Sequence, residues 1–285
     1  MASMRTARIA ALYTYPIKSC AGIAIDVMRF DAMGPLDDRR WMLIDQHDSF
    51  ITQREVPRLA LVRPARMAGG LRVLAPDMPA LSVSGTGGER CTTWCWDDRC
   101  AGFDEGPEAA AWFSEFIGRP ARLVRFDATA PRAADRHWVG AAAGLAGALT
   151  RFSDGFPLLV ISTASMAELD RRLADADLPA AVAQRFRPNV VLDGLDPFEE
   201  DLADTFSVGA GSTVLKVVKP CTRCTIPEVD PATGHHQAGI LQVLALFRSD
   251  PRLGGAITFG QNCIVTDGLE GVIRVNDPVG VTHRF

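Results

Sequence analysis

Six short runs in the first hundred residues constrain this chain most: Ile9–Tyr15, Ala24–Phe30, Arg40–Asp45, Leu59–Met67, Leu71–Leu74 and Cys91–Trp96. Many carry β-branched or aromatic residues, which suit a pleated, half-buried surface. Gly69-Gly70, Gly85, Gly87-Gly88 and Asp97-Asp98 punctuate them where the chain must turn. Strand after strand at this spacing predicts a barrel or a sandwich. A helix is expected after Pro107, with Ala110, Phe113, Phe116 and Ile117 on one face and Gly118 as its stop. Ala121–Phe126 then returns to strand.

The second half alternates. Pro157–Ile161, Pro188–Leu192, Thr213–Val218, Ala256–Thr266 and Gly271–Arg274 read as strands. Ser165 and Glu168 have the spacing of a capping box that opens a helix with Met166, Leu169 and Leu173 on one side. Ile240–Phe247 suits a short helix. The expected fold class is mixed α+β, mainly β. Residues 1–126 and 151–285 are read as two domains, a division that tolerates strands exchanged across the boundary. Residues 127–150 between them are rich in Ala, Gly and Arg and read as a flexible linker or flap.

Composition narrows the function classes. With 47% hydrophobic and 22% charged residues the chain is of the soluble globular kind, and 285 residues allow one large domain or two ordinary ones. A net charge of −4 and dispersed Lys and Arg give no electrostatic reason to expect nucleic acid. No stretch approaches the ~20 apolar residues of a membrane span. Tyr13, Tyr15, Pro16 and Lys18 interrupt the apolar residues behind Arg5 and Arg8, which argues against a secretory signal. The expected location is cytoplasmic. Seven cysteines, an odd number, favour metal or catalytic use over a disulfide framework.

The chemistry concentrates in K-P-C-T-R-C-T-I-P-E-V-D-P-A-T-G, from Lys219 to Gly234. Pro227, Asp230, Pro231 and Gly234 make a long helix after Cys224 improbable, which weakens a thioredoxin-like reading. Cys221 and Cys224 could serve as small core residues. They could join His235 or His236 on zinc. One thiolate could also hold a soft or high-valent metal, with Arg223 favouring the ionised sulfur. Three further segments place a cation, or a cation with a small hydroxyl or amide donor, at a strand end, where side chains can converge on a phosphate: Tyr15-Pro16-Ile17-Lys18-Ser19, Asp38-Arg39-Arg40-Trp41 and Arg185-Phe186-Arg187-Pro188-Asn189. Singly, each also fits a solvated surface charge, and Asp38–Arg39 a local ion pair of little worth.

Together these segments resemble the MOSC family, in particular the molybdenum-containing amidoxime-reducing enzymes and their bacterial relatives. L-Y-T-Y-P-I-K-S-C-A-G from Leu12, D-R-R-W from Asp38, I-T-Q-R-E-V-P-R-L from Ile51 and S-D-G-F-P-L-L from Ser153 follow the family pattern in order. F-R-P-N from Phe186, K-P-C-T-R-C from Lys219, V-D-P-A-T-G from Val229 and F-G-Q-N from Phe259 complete it. The resemblance implies a MOSC-type N-terminal β-barrel domain followed by a MOSC β-barrel domain with peripheral helices. It also implies a molybdenum cofactor, molybdopterin with its phosphate, whose metal ligand is Cys224. Cys221 would be a neighbour. Lys18, Ser19, Arg39, Arg187, Asn189, Thr222 and Arg223 match residues that hold the cofactor, with Arg223 also beside the metal. In S-D-G-F-P the match covers Asp154, but Gly155 and Phe156 stand where small hydroxyl residues can occur, so their contacts would be through backbone N–H.

The activity implied is two-electron removal of oxygen from N-hydroxylated compounds: amidoximes, hydroxamic acids and N-hydroxylated bases. The alternative is a molybdenum-cofactor carrier or sulfur-transfer protein without reductase turnover. Some bacterial relatives carry a C-terminal iron–sulfur domain, whereas this sequence ends at Phe285, and Cys91, Cys95 and Cys100 lack a ferredoxin spacing. Electrons are therefore expected from a separate protein, such as a ferredoxin, a flavodoxin or a cytochrome with its reductase.

Overall fold

A computed structural model describes residues 5–140, 148–209 and 211–284. Seven strands close into a barrel: β1 (Arg5–Thr14), β2 (Leu158–Ser162), β3 (Val190–Asp193), β4 (Ala203–Val208), β5 (Thr213–Thr222), β6 (Ala256–Asp267) and β7 (Pro278–His283). The order is β2-β3-β1-β7-β4-β5-β6, and β6 pairs back onto β2. Within the barrel only β2 and β3 run parallel, and the crossover that parallel strands require carries the helix Thr163–Asp175. The mainly β class expected from the sequence is the class observed.

Side-chain alternation explains why the barrel strands read as continuous apolar runs. In β2, Leu158 and Val160 face the barrel interior with Ile9, Leu12, Phe206, Leu215 and Val279. Leu159 and Ile161 point the other way, against Met166, Leu169 and Leu173 of the helix. Both faces are buried, so no polar residue is tolerated between the apolar ones. Leu169 and Leu173 are fully buried, and truncating either to Ala would cost about 2–5 kcal/mol.

The first half supplies a second core. Trp41–Ile44, Arg122–Phe126, Asp98–Asp104 and Glu89–Cys95 form one antiparallel sheet, and Arg63–Met67, Gly70–Leu74 and Leu81–Val83 another. The helix Pro107–Ile117 lays Ala109, Trp112, Phe113 and Phe116 against Trp41, Leu43, Leu71 and Leu123. Gly118 ends it in a left-handed cap.

Two expectations need correction. Leu59–Met67 is not one strand, because Pro57–Leu61 winds a 3-10 turn and only Arg63–Met67 is extended. The crossover helix starts three residues earlier than the Ser165 box implies. Ser162, still extended at the end of β2, is its N-cap and accepts from the Ser165 N–H at 3.0 Å. Both serine hydroxyls donate to the buried Glu200 carboxylate, while Glu168 instead binds Arg171 and Arg172. Of the segment read as linker or flap, Arg132–Ala133 pairs with Leu149–Thr150 and Arg136–Val139 is helical. Residues 141–147 lie outside the described residues.

The two cores meet where β1 ends. Arg39 N–H donates to Tyr15 C=O at 2.8 Å, Trp41 N–H to Pro16 C=O at 2.9 Å, and Lys18 N–H to Trp41 C=O at 2.7 Å. The first barrel strand thus runs directly into the second sheet, and the residues singled out by the sequence lie along this seam.

Candidate functional site

A cleft partly open to solvent is cut into the seam. Its walls include Lys18, Ser19, Arg39, Asp154, Gly155, Phe156, Arg187, Asn189, Thr222, Arg223 and Cys224. All eleven site candidates from the sequence therefore come together, from five separate segments. The cleft also takes in Cys221, expected as the neighbour of the ligand, and Thr52, Arg54 and Asn262, to which the sequence reading assigned no site role. Thr52 and Arg54 lie in the I-T-Q-R run and Asn262 in F-G-Q-N, so the signal was present but unassigned.

Three wall residues are held in backbone that side chains rarely adopt. Ser19, Arg39 and Arg187 have φ of 66°, 45° and 58°. Left-handed backbone at a residue that is not Gly, Asn or Asp costs on the order of 1–2 kcal/mol and persists only where the surroundings enforce it. Here they do so with hydrogen bonds. Asp38 is buried and accepts from the Tyr15 N–H (2.8 Å), Asn189 Nδ2 (3.1 Å) and Arg39 Nη1 (2.5 Å). Arg39 further donates to Asn189 Oδ1 and to Arg187 C=O, both at 3.2 Å. Asp38–Arg39 is thus the hub of a buried network, not the exposed local pair that the sequence also allowed.

Charge in the cleft is predominantly positive. Lys18, Arg39, Arg54, Arg187 and Arg223 line it, against the single carboxylate of Asp154. Lys18 is buried, donating to Phe152 C=O at 2.8 Å and pairing with Asp154. Desolvation opposes ionisation of Asp154, but Lys18, the Trp96 indole N–H and Arg39 outweigh it and hold the carboxyl below the usual range. Burial, and the Arg39 cation beside it, lower Arg187 to about 10, which leaves it charged at neutral pH. The Tyr15 ring packs against both arginines, its centroid 4.4 Å from the Arg39 guanidinium carbon and 4.2 Å from that of Arg187. Its phenol is raised by burial and stays neutral.

The C-T-R-C segment enters at the end of β5. Register shifts between Val217 and Lys219 and between Pro220 and Thr222 interrupt its pairing with β6, turning the last residues of the strand. Arg223 N–H still donates to Ile257 C=O at 2.8 Å, which fixes the start of the loop. Its side chain donates to Cys221 Sγ at 2.9 Å and Phe186 C=O at 2.7 Å. Cys221 and Cys224 are both free and half-buried. The V-D-P-A-T-G run acts from behind. Asp230 accepts from Ala232 and Thr233 N–H groups and pairs with buried Arg185 at 3.0 Å. Arg185 also donates to Pro227 C=O at 3.1 Å, clamping the loop after Cys224 to the F-R-P-N turn. Phe259 stacks on Phe186 at 4.3 Å and supports the same turn.

The zinc alternative loses its histidines. His235 and His236 line a different groove with Val56, Pro57 and Ile117, and His236 pairs with Glu228 at 3.3 Å. Among the described residues no three His, Cys, Asp or Glu side chains gather as a metal-binding group.

Residues 6–120 match the MOSC N-terminal beta barrel domain, and residues 149–280 match the MOSC domain. The chain belongs to the MOSC family. Human mitochondrial amidoxime reducing component 2 is 33% identical to this MOSC protein over 236 residues, 79% of this chain and 68% of the human one. Human mitochondrial amidoxime-reducing component 1 is 31% identical over 289 residues, 95% of this chain and 82% of the human one. Human molybdenum cofactor sulfurase is 29% identical over 252 residues, 82% of this chain but 28% of that longer protein. The MOSC relatives thus carry two kinds of name, amidoxime-reducing component and molybdenum cofactor sulfurase, and fold alone does not choose between them.

The donor set in this MOSC cleft fits a molybdenum cofactor. A phosphorylated dithiolene needs cations and N–H donors along its length and a thiolate at the metal. Arg187 Nη2 and Arg223 Nε are buried with no hydrogen-bond partner among the described residues. Buried guanidinium N–H groups are costly to leave unmatched, and an anion in the cleft would satisfy them.

Proposed function

We propose that this MOSC protein is a molybdenum-cofactor-dependent oxidoreductase that reduces N-hydroxylated compounds. The observation that carries this reading is the convergence of four cations and the C-T-R-C loop on one cleft, with two buried arginine N–H groups that have no hydrogen-bond partner among the described residues. When bound, the cofactor supplies two-electron redox chemistry at its metal, converting an N–OH group with two electrons and two protons into N–H and water. Cys224 thiolate would be the protein's metal ligand. Arg39, Arg187, Arg223 and Lys18 would neutralise the cofactor's charge. Ser19, Asn189 and Thr222 would add neutral hydrogen bonds, and Gly155 and Phe156 backbone N–H donors.

Asp38 keeps Arg39 and Asn189 oriented before any ligand arrives, so little ordering entropy is lost on binding. Electrons would come from a separate protein such as a ferredoxin, a flavodoxin or a cytochrome with its reductase. Among the described residues no helix is long and apolar enough to cross a membrane. The test is turnover: protein purified from a cofactor-producing host should reduce benzamidoxime to benzamidine with a reduced viologen as donor. Transfer of the cofactor to another apo-enzyme without any such turnover would instead assign the carrier or sulfur-transfer role.

A further inference from the structure

Left-handed backbone marks one more residue. Ten non-glycine residues have positive φ among those described, and five of the ten are Asp or Asn, which tolerate that region. The others are Ser19, Arg39, Arg187, Phe198 and Trp96. Three of these line the cleft. Trp96, at φ 58°, stands at its rim through two lining residues. Its indole N–H donates to Asp154 Oδ1 at 3.1 Å, and the Arg54 guanidinium lies 4.8 Å from its ring centroid. Phe50 packs against it at 5.2 Å, and the Lys18 ammonium sits 5.2 Å from the Phe50 ring.

Trp96 occupies the tight turn between the strands Glu89–Cys95 and Asp98–Asp104, where Cys95 faces Asp98. A bulky aromatic is a poor choice for that turn on backbone grounds, since Gly, Asn and Asp adopt it readily. It is also 44% exposed, so it is not retained to fill a core. What the position provides is an indole face beside the cleft, fixed at one edge by Asp154 and Phe50. The group already over it, a flat carbon bearing three nitrogens, resembles in shape the planar N–C–N unit of an amidoxime. An aryl ring attached to that unit would extend the stack.

We propose that Trp96 is a specificity-determining residue that selects flat aryl N–OH substrates over aliphatic ones by stacking at the cleft mouth. This rests on the reductase reading above. Asp154 positions the indole and pairs with Lys18 beside it. Arg54 moves aside from the ring or sandwiches the substrate against it.

The experiment is a calorimetric titration of protein from a cofactor-producing host, oxidised and without electron donor, with benzamidoxime and with acetamidoxime. The variants are Trp96→Asn and Trp96→Phe. Asn is better suited than Trp to the turn, so the fold should be at least as stable. Benzamidoxime should bind the wild type more tightly than acetamidoxime, by about tenfold. Trp96→Asn should abolish that preference and Trp96→Phe should keep most of it. In turnover, the benzamidoxime KM should rise in Trp96→Asn far more than kcat falls. Unchanged preference in Trp96→Asn would overturn the proposal while leaving N–OH reduction intact. Absence of reduction by the wild type, with Trp96-dependent binding preserved, would overturn the reductase reading and leave Trp96 as a ligand-binding residue.

Discussion

Arg223 holds the sulfur of Cys221, not that of Cys224: its Nη1 lies 2.9 Å from Cys221 Sγ. The two cysteines of C-T-R-C therefore have different surroundings. Cys221 is an acceptor that aims the guanidinium, with Phe186 C=O as the second anchor. Cys224, free and on the cleft wall, is the sulfur available to a metal. Cys221→Ser keeps an acceptor and should retain most reductase activity, within about tenfold of wild type. Cys221→Ala removes it, leaves another buried N–H of Arg223 unmatched and should lower activity further. Steady-state rates with benzamidoxime distinguish the two variants, and equal activity would show that the contact does not position Arg223.

Asp38 and Arg187 should respond oppositely to mutation. Removing Asp38 strands Arg39 and deprives the Tyr15 N–H and Asn189 of their acceptor. Asp38→Ala should cost about 3–5 kcal/mol, read from urea denaturation of the cofactor-free protein. Arg187 carries a buried charge with one N–H unmatched, though it also donates to Cys20 C=O at 2.6 Å. Arg187→Met should change cofactor-free stability by no more than about 1 kcal/mol, because a lost hydrogen bond offsets a relieved buried charge. Its molybdenum content should nevertheless fall at least tenfold, a ratio that metal analysis measures directly.

Gly22 leaves room for the Tyr15 ring against the arginines. A Cβ at this position would lie 2.5 Å from Tyr15 Cε1 and 2.9 Å from Cδ1. The ring has little room to swing away, because the Arg39 and Arg187 guanidinium carbons lie 4.4 and 4.2 Å from its centroid. Gly22→Ala should therefore destabilise by about 1–3 kcal/mol and weaken cofactor retention. Thermal melting and molybdenum retention on dialysis are the readouts, and a variant indistinguishable from wild type in both would refute the packing argument.

Much of this site was legible because each of its segments carries its chemistry locally. Lys18-Ser19, Asp38-Arg39, Arg187 with Asn189, and C-T-R-C stand out as short polar clusters beside strands. What escaped is what only folding assembles. Trp96 read as the end of a strand, since nothing in one sequence shows that its backbone turns left-handed. Asp230 and Arg185 are distant in sequence, and their clamp exists only once the barrel closes. β4 and β7 were missed because Asp204, Thr205 and Ser207, and Gly280 and Thr282, dilute their apolar alternation. β1 lies between β3 and β7, a pairing across nearly the whole chain that local pattern cannot show.

Burial of thiols sets an alkaline limit. Burial pushes Cys20 up to about 12, against an opposing pull from Arg187. An unfolded cysteine ionises near pH 8.5, so above that pH the unfolded chain loses a proton that the native state keeps. Stability from Cys20 is thus fully present below about pH 8.5 and is lost as pH rises towards 12. Between pH 9 and 10.5 wild type should lose about 1.4 kcal/mol per pH unit more than Cys20→Ala. Parallel slopes in denaturation at these pH values would contradict this.

The central claim is that Cys224 anchors a molybdenum cofactor in this cleft. Molybdenum and zinc should be determined per chain in wild type and Cys224→Ser, both purified from a host shown to make the cofactor. Near-stoichiometric molybdenum in the wild type, lost in Cys224→Ser while the variant still melts cooperatively, is the predicted result. Zinc without molybdenum in the wild type, or molybdenum undiminished in Cys224→Ser, would contradict it.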